Sequence, residues 1–180
     1  MSDDASGRYR VGETALLAVV KEAEPVVEPW RRRFDPAALA GVPAHVTVLV
    51  PFLDADRVDA GVIDELRGLF GGHGSFAVRF DRCRRFPGVL YLAPTPDQAF
   101  RALTEAVVAR WPEVPPYGGQ FAEIVPHLTV AHGLQAQALD EAEAALTAQL
   151  PITAHVASVG LFVSDGDRWH RRAEFALLGG

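Results

Sequence analysis

The chain has 180 residues, 49% hydrophobic and 22% charged, which suits one domain or two small lobes on a shared core and argues against a disordered chain. Its formal net charge of -6 argues against affinity drawn from tracking a long nucleic-acid backbone, but leaves room for a small nucleotide or RNA end held by local Arg. The single Cys83 excludes an internal disulfide framework and a cysteine-built zinc site, and points to a reducing, cytoplasmic setting. The N-terminus has no basic segment followed by an apolar run, so no secretory signal is expected. The longest apolar stretches, 15–20 and 46–53, are strand-length and fall far short of a membrane span.

In chain order, residues 1–12 read as a loose leader and 13–21 as a buried strand. Residues 24–34 read as a helix, with Pro25 tolerated in the first turn and Arg31, Arg32 and Arg33 on a solvated face. A connector over 35–43 leads to an apolar strand over 44–52, closed by proline. Val62, Ile63, Leu66, Leu69 and Phe70 have helical spacing and predict a helix over 59–70, ended by Gly71, Gly72, His73 and Gly74. Strands are expected over 75–81 and 89–93, linked by a segment holding Arg82, Arg84, Arg85 and Phe86. A helix over 96–111 and a Pro/Gly loop over 112–119 follow. The remainder reads as a strand over 125–132, a helix over 136–150, one long strand over 152–164 and a last strand over 169–177.

Two of these strands open alike, Ala44-His-Val-Thr-Val and Pro126-His-Leu-Thr-Val, and each is followed by a helix and further strands. This pattern predicts a single bilobal domain over 1–180, an α+β duplication with pseudo-two-fold symmetry. Its sheets are expected to be mainly antiparallel, with helices outside and the active-site cleft between the lobes.

Side chains at i and i+2 of a strand share a face. His45 and Thr47 therefore point together, as do His127 and Thr129, with Val or Leu anchoring the opposite faces. Such a pair of strands offers two imidazoles and two hydroxyls. Phosphodiester cleavage needs a base for the attacking oxygen and an acid for the departing one, and an imidazole with an ordinary pKa of ~6.5 suits both. The Thr hydroxyls can donate to non-bridging phosphate oxygens as charge builds there. No step in this scheme calls for a metal or another cofactor.

With two His-x-Thr copies in equivalent places, the sequence resembles the 2H phosphoesterase superfamily, and within it the 2′-5′ RNA ligase-like or RNA 2′,3′-cyclic phosphodiesterase-like proteins. Gly41-Val-Pro-Ala-His-Val-Thr-Val-Leu-Val-Pro-Phe52, Pro87-Gly-Val-Leu-Tyr-Leu-Ala-Pro94, Pro115-Pro-Tyr-Gly-Gly119 and Pro126-His-Leu-Thr-Val-Ala131 are similar to its segments, in the same order. The resemblance covers roughly residues 13–178. It implies a duplicated bilobal fold and metal-free hydrolysis of a 2′,3′-cyclic phosphate or a related 2′-5′ linkage. It also implies His45 and His127 as the catalytic pair, Thr47 and Thr129 as phosphate-binding residues, and a small nucleotide or RNA end bearing a cyclic phosphate as partner. By the same analogy His45 is the acid and His127 the base. No membrane and no obligate protein partner are expected.

Other residues compete for roles. His132 lies five after His127, which on an unbroken strand puts it on the opposite face and argues against a shared zinc. His73 reads as a loop residue, and His155 and His170 as surface or edge positions. Arg82, Arg84 and Arg85 form either a solvated loop or a receiver of the phosphates of a longer substrate. Phe86 and Tyr91 default to core packing, whereas Tyr117, in the loop before the second motif, is a candidate for stacking on a base. Trp169 and Arg171 share a strand face and form a candidate aromatic-plus-cation wall. The rival functions are a non-catalytic nucleotide or RNA-end binder and a reversible 2′-5′ RNA ligase.

Overall fold

A computed structural model describes residues 9–180. The expected leader over 1–12 lies mostly outside the described residues. Within them, Tyr9 donates its backbone N–H to Gly166 and Gly12 donates to Ser164, so this end of the described chain is tied to the C-terminal strands.

Eight strands form two four-stranded antiparallel sheets. The first has the order β2-β1-β7-β8, from β1 (Thr14–Val19), β2 (His45–Leu49), β7 (Ser158–Ser164) and β8 (Trp169–Ala176). The second has the order β5-β4-β3-β6, from β3 (Phe76–Phe86), β4 (Val89–Thr95), β5 (Leu128–His132) and β6 (Ile152–Val156). The principal helices are α1 (Glu24–Phe34), α2 (Pro36–Leu39), α3 (Ala60–Gly71), α4 (Gln98–Arg110) and α5 (Ala136–Thr147). The duplication is visible in the order β1-α1-β2-α3 against β4-α4-β5-α5. Each His-x-Thr strand is the edge of its sheet, and the two edges lie against one another.

Helices cross between the lobes to close those edges. Helix α4 follows β4 but packs on β2, while α1 follows β1 and packs on β5. Thr104 on α4 donates to the Val48 carbonyl at 2.6 Å, and Glu24 on α1 accepts from the Ala44 N–H at 2.5 Å. Backbone groups along the β2 edge are thus occupied, which also hinders pairing of that edge with another chain. Apolar residues on the backs of both sheets, among them Leu16, Val46, Val48, Phe80, Leu92 and Leu128, merge into one continuous core. Each large side chain buried there contributes about 1.5–3 kcal/mol relative to exposure. That is more than the ~1 kcal/mol net of a single hydrogen bond, so the shared core holds the lobes together.

Four expectations need correction. The single strand over 152–164 is two strands in different sheets, β6 and β7, with Ala157 at the crossover between lobes. The linking segment of Arg82, Arg84 and Arg85 is not a loop, because β3 continues to Phe86 and turns directly at Pro87-Gly88 into β4. Gly88, with φ 72, supplies the left-handed conformation that this two-residue turn demands. The connector over 35–43 contains α2, whose first turn Asp35 caps by accepting from Ala37 N–H. Arg31, assigned to a solvated face, is 2% exposed. Its Nε donates to Asp35 at 2.9 Å and its Nη2 to the Val42 carbonyl at 3.0 Å, so a buried acid draws the guanidinium inward while Arg32 and Arg33 stay exposed.

Candidate active site

The two motif histidines are held by the same device. His45 Nδ1 lies 2.8 Å from the Pro43 carbonyl, and His127 Nδ1 lies 2.7 Å from the Val125 carbonyl, each two residues upstream. A carbonyl only accepts, so Nδ1 carries the proton and Nε2 keeps a free lone pair in the neutral ring. Register sets Thr47 on the face of His45, where they pair across β1 with Leu17 and Val19, and sets Thr129 opposite Tyr91.

Burial lowers the pKa of both rings. His45 is half-buried by surface but closely surrounded, and poor solvation of its charged form, with the charges of Arg31 and His127 adding in the same direction, lowers it to about 4. The Pro43 bond and Asp35 oppose that drop. His127 is also lowered by burial, against the support of the Val125 bond. Its ring meets Phe86 and Tyr91 edge-on, at 5.2 and 5.5 Å, and those two rings stack at 4.3 Å.

A cleft of about 480 Å³ opens beside His127 and Thr129, walled by Phe86, Val89, Tyr117 and Phe121. Thr47 lines an adjoining cavity with Thr104, Pro116 and Ile124, and Ile124 borders both spaces. Burial raises the pKa of the Tyr117 phenol and the Thr47 hydroxyl beside it works the other way, which sets the first motif next to the loop roofing the second. Tyr117 also donates its backbone N–H to Val50 at 2.7 Å and holds φ 51, a left-handed conformation costly for a non-Gly residue. The structure thus brings His127, Thr129 and Tyr117 to one cleft, with Thr47 in the cavity adjoining it and His45 on the neighbouring edge strand.

Trp169 and Arg171 are not part of that cleft. Trp169 is 7% exposed, packs edge-on against Tyr9 at 5.2 Å, and donates its backbone N–H to Ala40. Arg171 sits 3.5 Å from Glu174. Both border a separate depression with Val19, Gly41, Pro43 and Phe162. His132 departs from expectation in the other direction. A bulge in the β4–β5 ladder, between Leu90 and Tyr91, resets the alternation and pairs His132 with Val89, so it lines the cleft of His127. Among the described residues, no cluster of three or more His, Cys, Asp or Glu has the arrangement to hold a metal ion. His170 bonds Asp165 at 2.8 Å on the surface. Phe121 had no signal in the spacing of residues, whereas Arg31 and Asp35 stand at i,i+4, the spacing of a helical ion pair.

A sequence profile of the 2′-5′ RNA ligase superfamily matches residues 19–168. This chain belongs to the 2′-5′ RNA ligase superfamily. It is 31% identical over 114 residues to a Bacillus cereus (strain G9842) protein provisionally named a phosphoesterase, an alignment spanning 58% of this chain and 59% of that one. The chain therefore matches about three fifths of that relative's length. Escherichia coli LigT crystallised with 3′-AMP superposes with a TM-score of 0.60 at 17% identity, covering 93% of this chain and 99% of LigT. LigT with NADP+ gives 0.56 at 17% identity over 94% and 99%. A Thermus thermophilus protein gives 0.60 at 14% identity over 92% and 97%. At these identities the superpositions establish the fold that this member of the superfamily shares with them. No helix among the described residues is long and apolar enough to cross a membrane.

Proposed function

We propose that this protein is a metal-independent phosphodiesterase that opens 2′,3′-cyclic phosphates on RNA ends or small nucleotides by two-histidine acid–base catalysis. The observation that carries this reading is the matched anchoring of His45 and His127, which leaves both Nε2 atoms without a hydrogen-bond partner among the described residues, at the starts of two neighbouring edge strands. His127 takes a proton from water as its oxygen bonds to phosphorus. His45 delivers a proton to the ribose oxygen as the ring P–O bond breaks, giving a phosphomonoester. Thr47 and Thr129 donate to the non-bridging oxygens while charge accumulates there.

Burial leaves both rings neutral in the free protein, which suits His127 as the base. The proton that His45 delivers is taken up from solvent only once the negative phosphate lies beside the ring and offsets that burial. The cleft of about 480 Å³ lies within the usual range for small-molecule sites, and Tyr117, Phe86 and Phe121 offer faces and edges to a base. The nucleotide complexes of LigT support a nucleotide as the ligand class. On this reading residues 1–180 work as one bilobal unit, in the cytoplasm.

Phosphorus NMR on a panel of nucleoside 2′,3′-cyclic phosphates in excess chelator tests the reaction. The expected result is loss of the cyclic signal and growth of one phosphomonoester. An unchanged panel, with tight nucleotide binding by calorimetry, would identify a binder instead.

A further inference from the structure

The face of β3 that leads into the cleft carries arginines that are unpaired or weakly paired among the described residues. Arg79, Arg82 and Arg84 pair across the ladder with Thr95, Ala93 and Tyr91, so all three stand on the face of Tyr91 and Thr129. All three are exposed. Among the described residues, Arg79 and Arg84 make no hydrogen bond or ion pair, and Arg82 has only a 3.5 Å contact with its neighbour Asp81. Arginines elsewhere on this acidic surface are largely matched, as in Arg10–Asp54, Arg57–Glu113 and Arg67–Asp64. Arg85, on the opposite face of the same strand, is taken up by Asp140 and Glu143.

Arg82 and Arg84 line a groove of about 340 Å³ with Tyr91, Thr95 and Val125. The groove and the apolar cleft share Val125, and Tyr91 separates them while touching the His127 ring. Arg82 and Arg84 are two residues apart on a strand, about 6.8 Å along its axis. That repeat is close to the spacing of successive phosphates in an extended single strand. Asp97 at the groove is already paired with Arg101 at 3.0 Å, which leaves Asp81 as the acid beside the row.

We propose that this strand face is a second subsite, a rail for the backbone phosphates of an oligonucleotide whose 3′-terminal nucleotide sits in the apolar cleft. It rests on the reading of that cleft as a cyclic-phosphate site. A terminal nucleoside with its phosphate at His127 and Thr129 sends its 5′ phosphate onward, and the adjoining groove meets it with Arg84 and then Arg82. The substrate class is an RNA end in preference to a free mononucleotide. The net charge of -6 is consistent with a short footprint, because attraction is confined to this row.

The test compares a nucleoside 2′,3′-cyclic phosphate with a tetranucleotide ending in the same group, in wild type, Arg84→Ala and the Arg82→Ala/Arg84→Ala double variant. Wild type is expected to favour the tetranucleotide in kcat/KM by about tenfold or more. The double variant is expected to lose most of that preference and to keep mononucleotide turnover within about twofold. Two lost contacts also lower the slope of log(kcat/KM) against log salt by about 1.4 for the tetranucleotide. Equal losses on both substrates, or no loss on either, would overturn the rail while leaving the reaction intact. If wild type turns over neither substrate, the reaction fails instead. Anisotropy with a labelled tetranucleotide 3′-phosphate then decides the rail, which falls if the double variant binds as tightly as wild type.

Discussion

Arg31 donates to the carbonyl of Val42 at 3.0 Å, one residue before the Pro43 carbonyl that anchors His45. The guanidinium, held from its other side by Asp35, thereby fixes the segment on which the first imidazole hangs. Arg31→Ala leaves the Asp35 carboxylate buried without its partner, at a cost of about 3–5 kcal/mol. Urea unfolding should show that loss. Arg31→Lys should recover part of the stability and less of the turnover, because one ammonium cannot span Asp35 and Val42. Equal recovery of both would argue against a positioning role.

The lowered pKa of His45 fixes the sign of a pH dependence. Its value is about 4 in the folded chain against an ordinary 6.5, so between those limits the unfolded chain binds the proton and the folded chain does not. The stability contribution is complete above the ordinary value and is lost as pH falls through this window, at up to about 1.4 kcal/mol per unit. His127 acts in the same direction. Urea midpoints at pH 7.5 and 5 should fall more in wild type than in His45→Asn. Parallel lines would show that His45 is not desolvated.

Acid and base can be separated by the leaving group. If His45 protonates the departing oxygen, His45→Ala should lose much less turnover on a nitrophenyl phosphodiester, whose leaving group needs no proton, than on a cyclic nucleotide. His127→Ala should lose both. The reverse pattern would exchange the two roles.

The Tyr117 phenol stands beside the Thr47 hydroxyl, between the first motif and the roof of the cleft. Tyr117→Phe keeps the ring and removes the phenolic hydroxyl that orders Thr47, so kcat/KM should fall about fivefold, with a stability loss of no more than about 1 kcal/mol. A loss confined to stability would make the contact merely structural.

Gly160 on β7 lies beneath the Phe162 ring, and a Cβ there would sit 2.7 Å from that ring. Gly160→Ala should destabilise the fold by about 1–3 kcal/mol through overpacking. Melting temperature measures it, and an unchanged value would show that the ring swings aside freely.

The fold was legible wherever one rule governed a segment. Helix α1 matches its expected bounds, and His45, Thr47, His127 and Thr129 stand on the two faces that alternation assigns. The misreadings arose where tertiary context overrode local pattern. Arg31 turned inward because Asp35, four residues on, is buried with it. His132 changed face through a bulge that no residue type announces. The strand over 152–164 reads as continuous because apolar alternation does not record a change of sheet. Trp169 shares a strand face with Arg171 as expected, yet the packing of Tyr9 against its ring was not readable from spacing.

In the proposed reaction His45 and His127 act as one acid–base pair on a cyclic phosphate. Steady-state turnover of a nucleoside 2′,3′-cyclic phosphate by His45→Ala, His127→Ala and the double variant tests it most directly. Each single variant should lose about 10²–10⁴-fold in kcat, and the double variant little more than either single. Retention of activity within a few-fold of wild type in either single variant, with the fold intact, would contradict it.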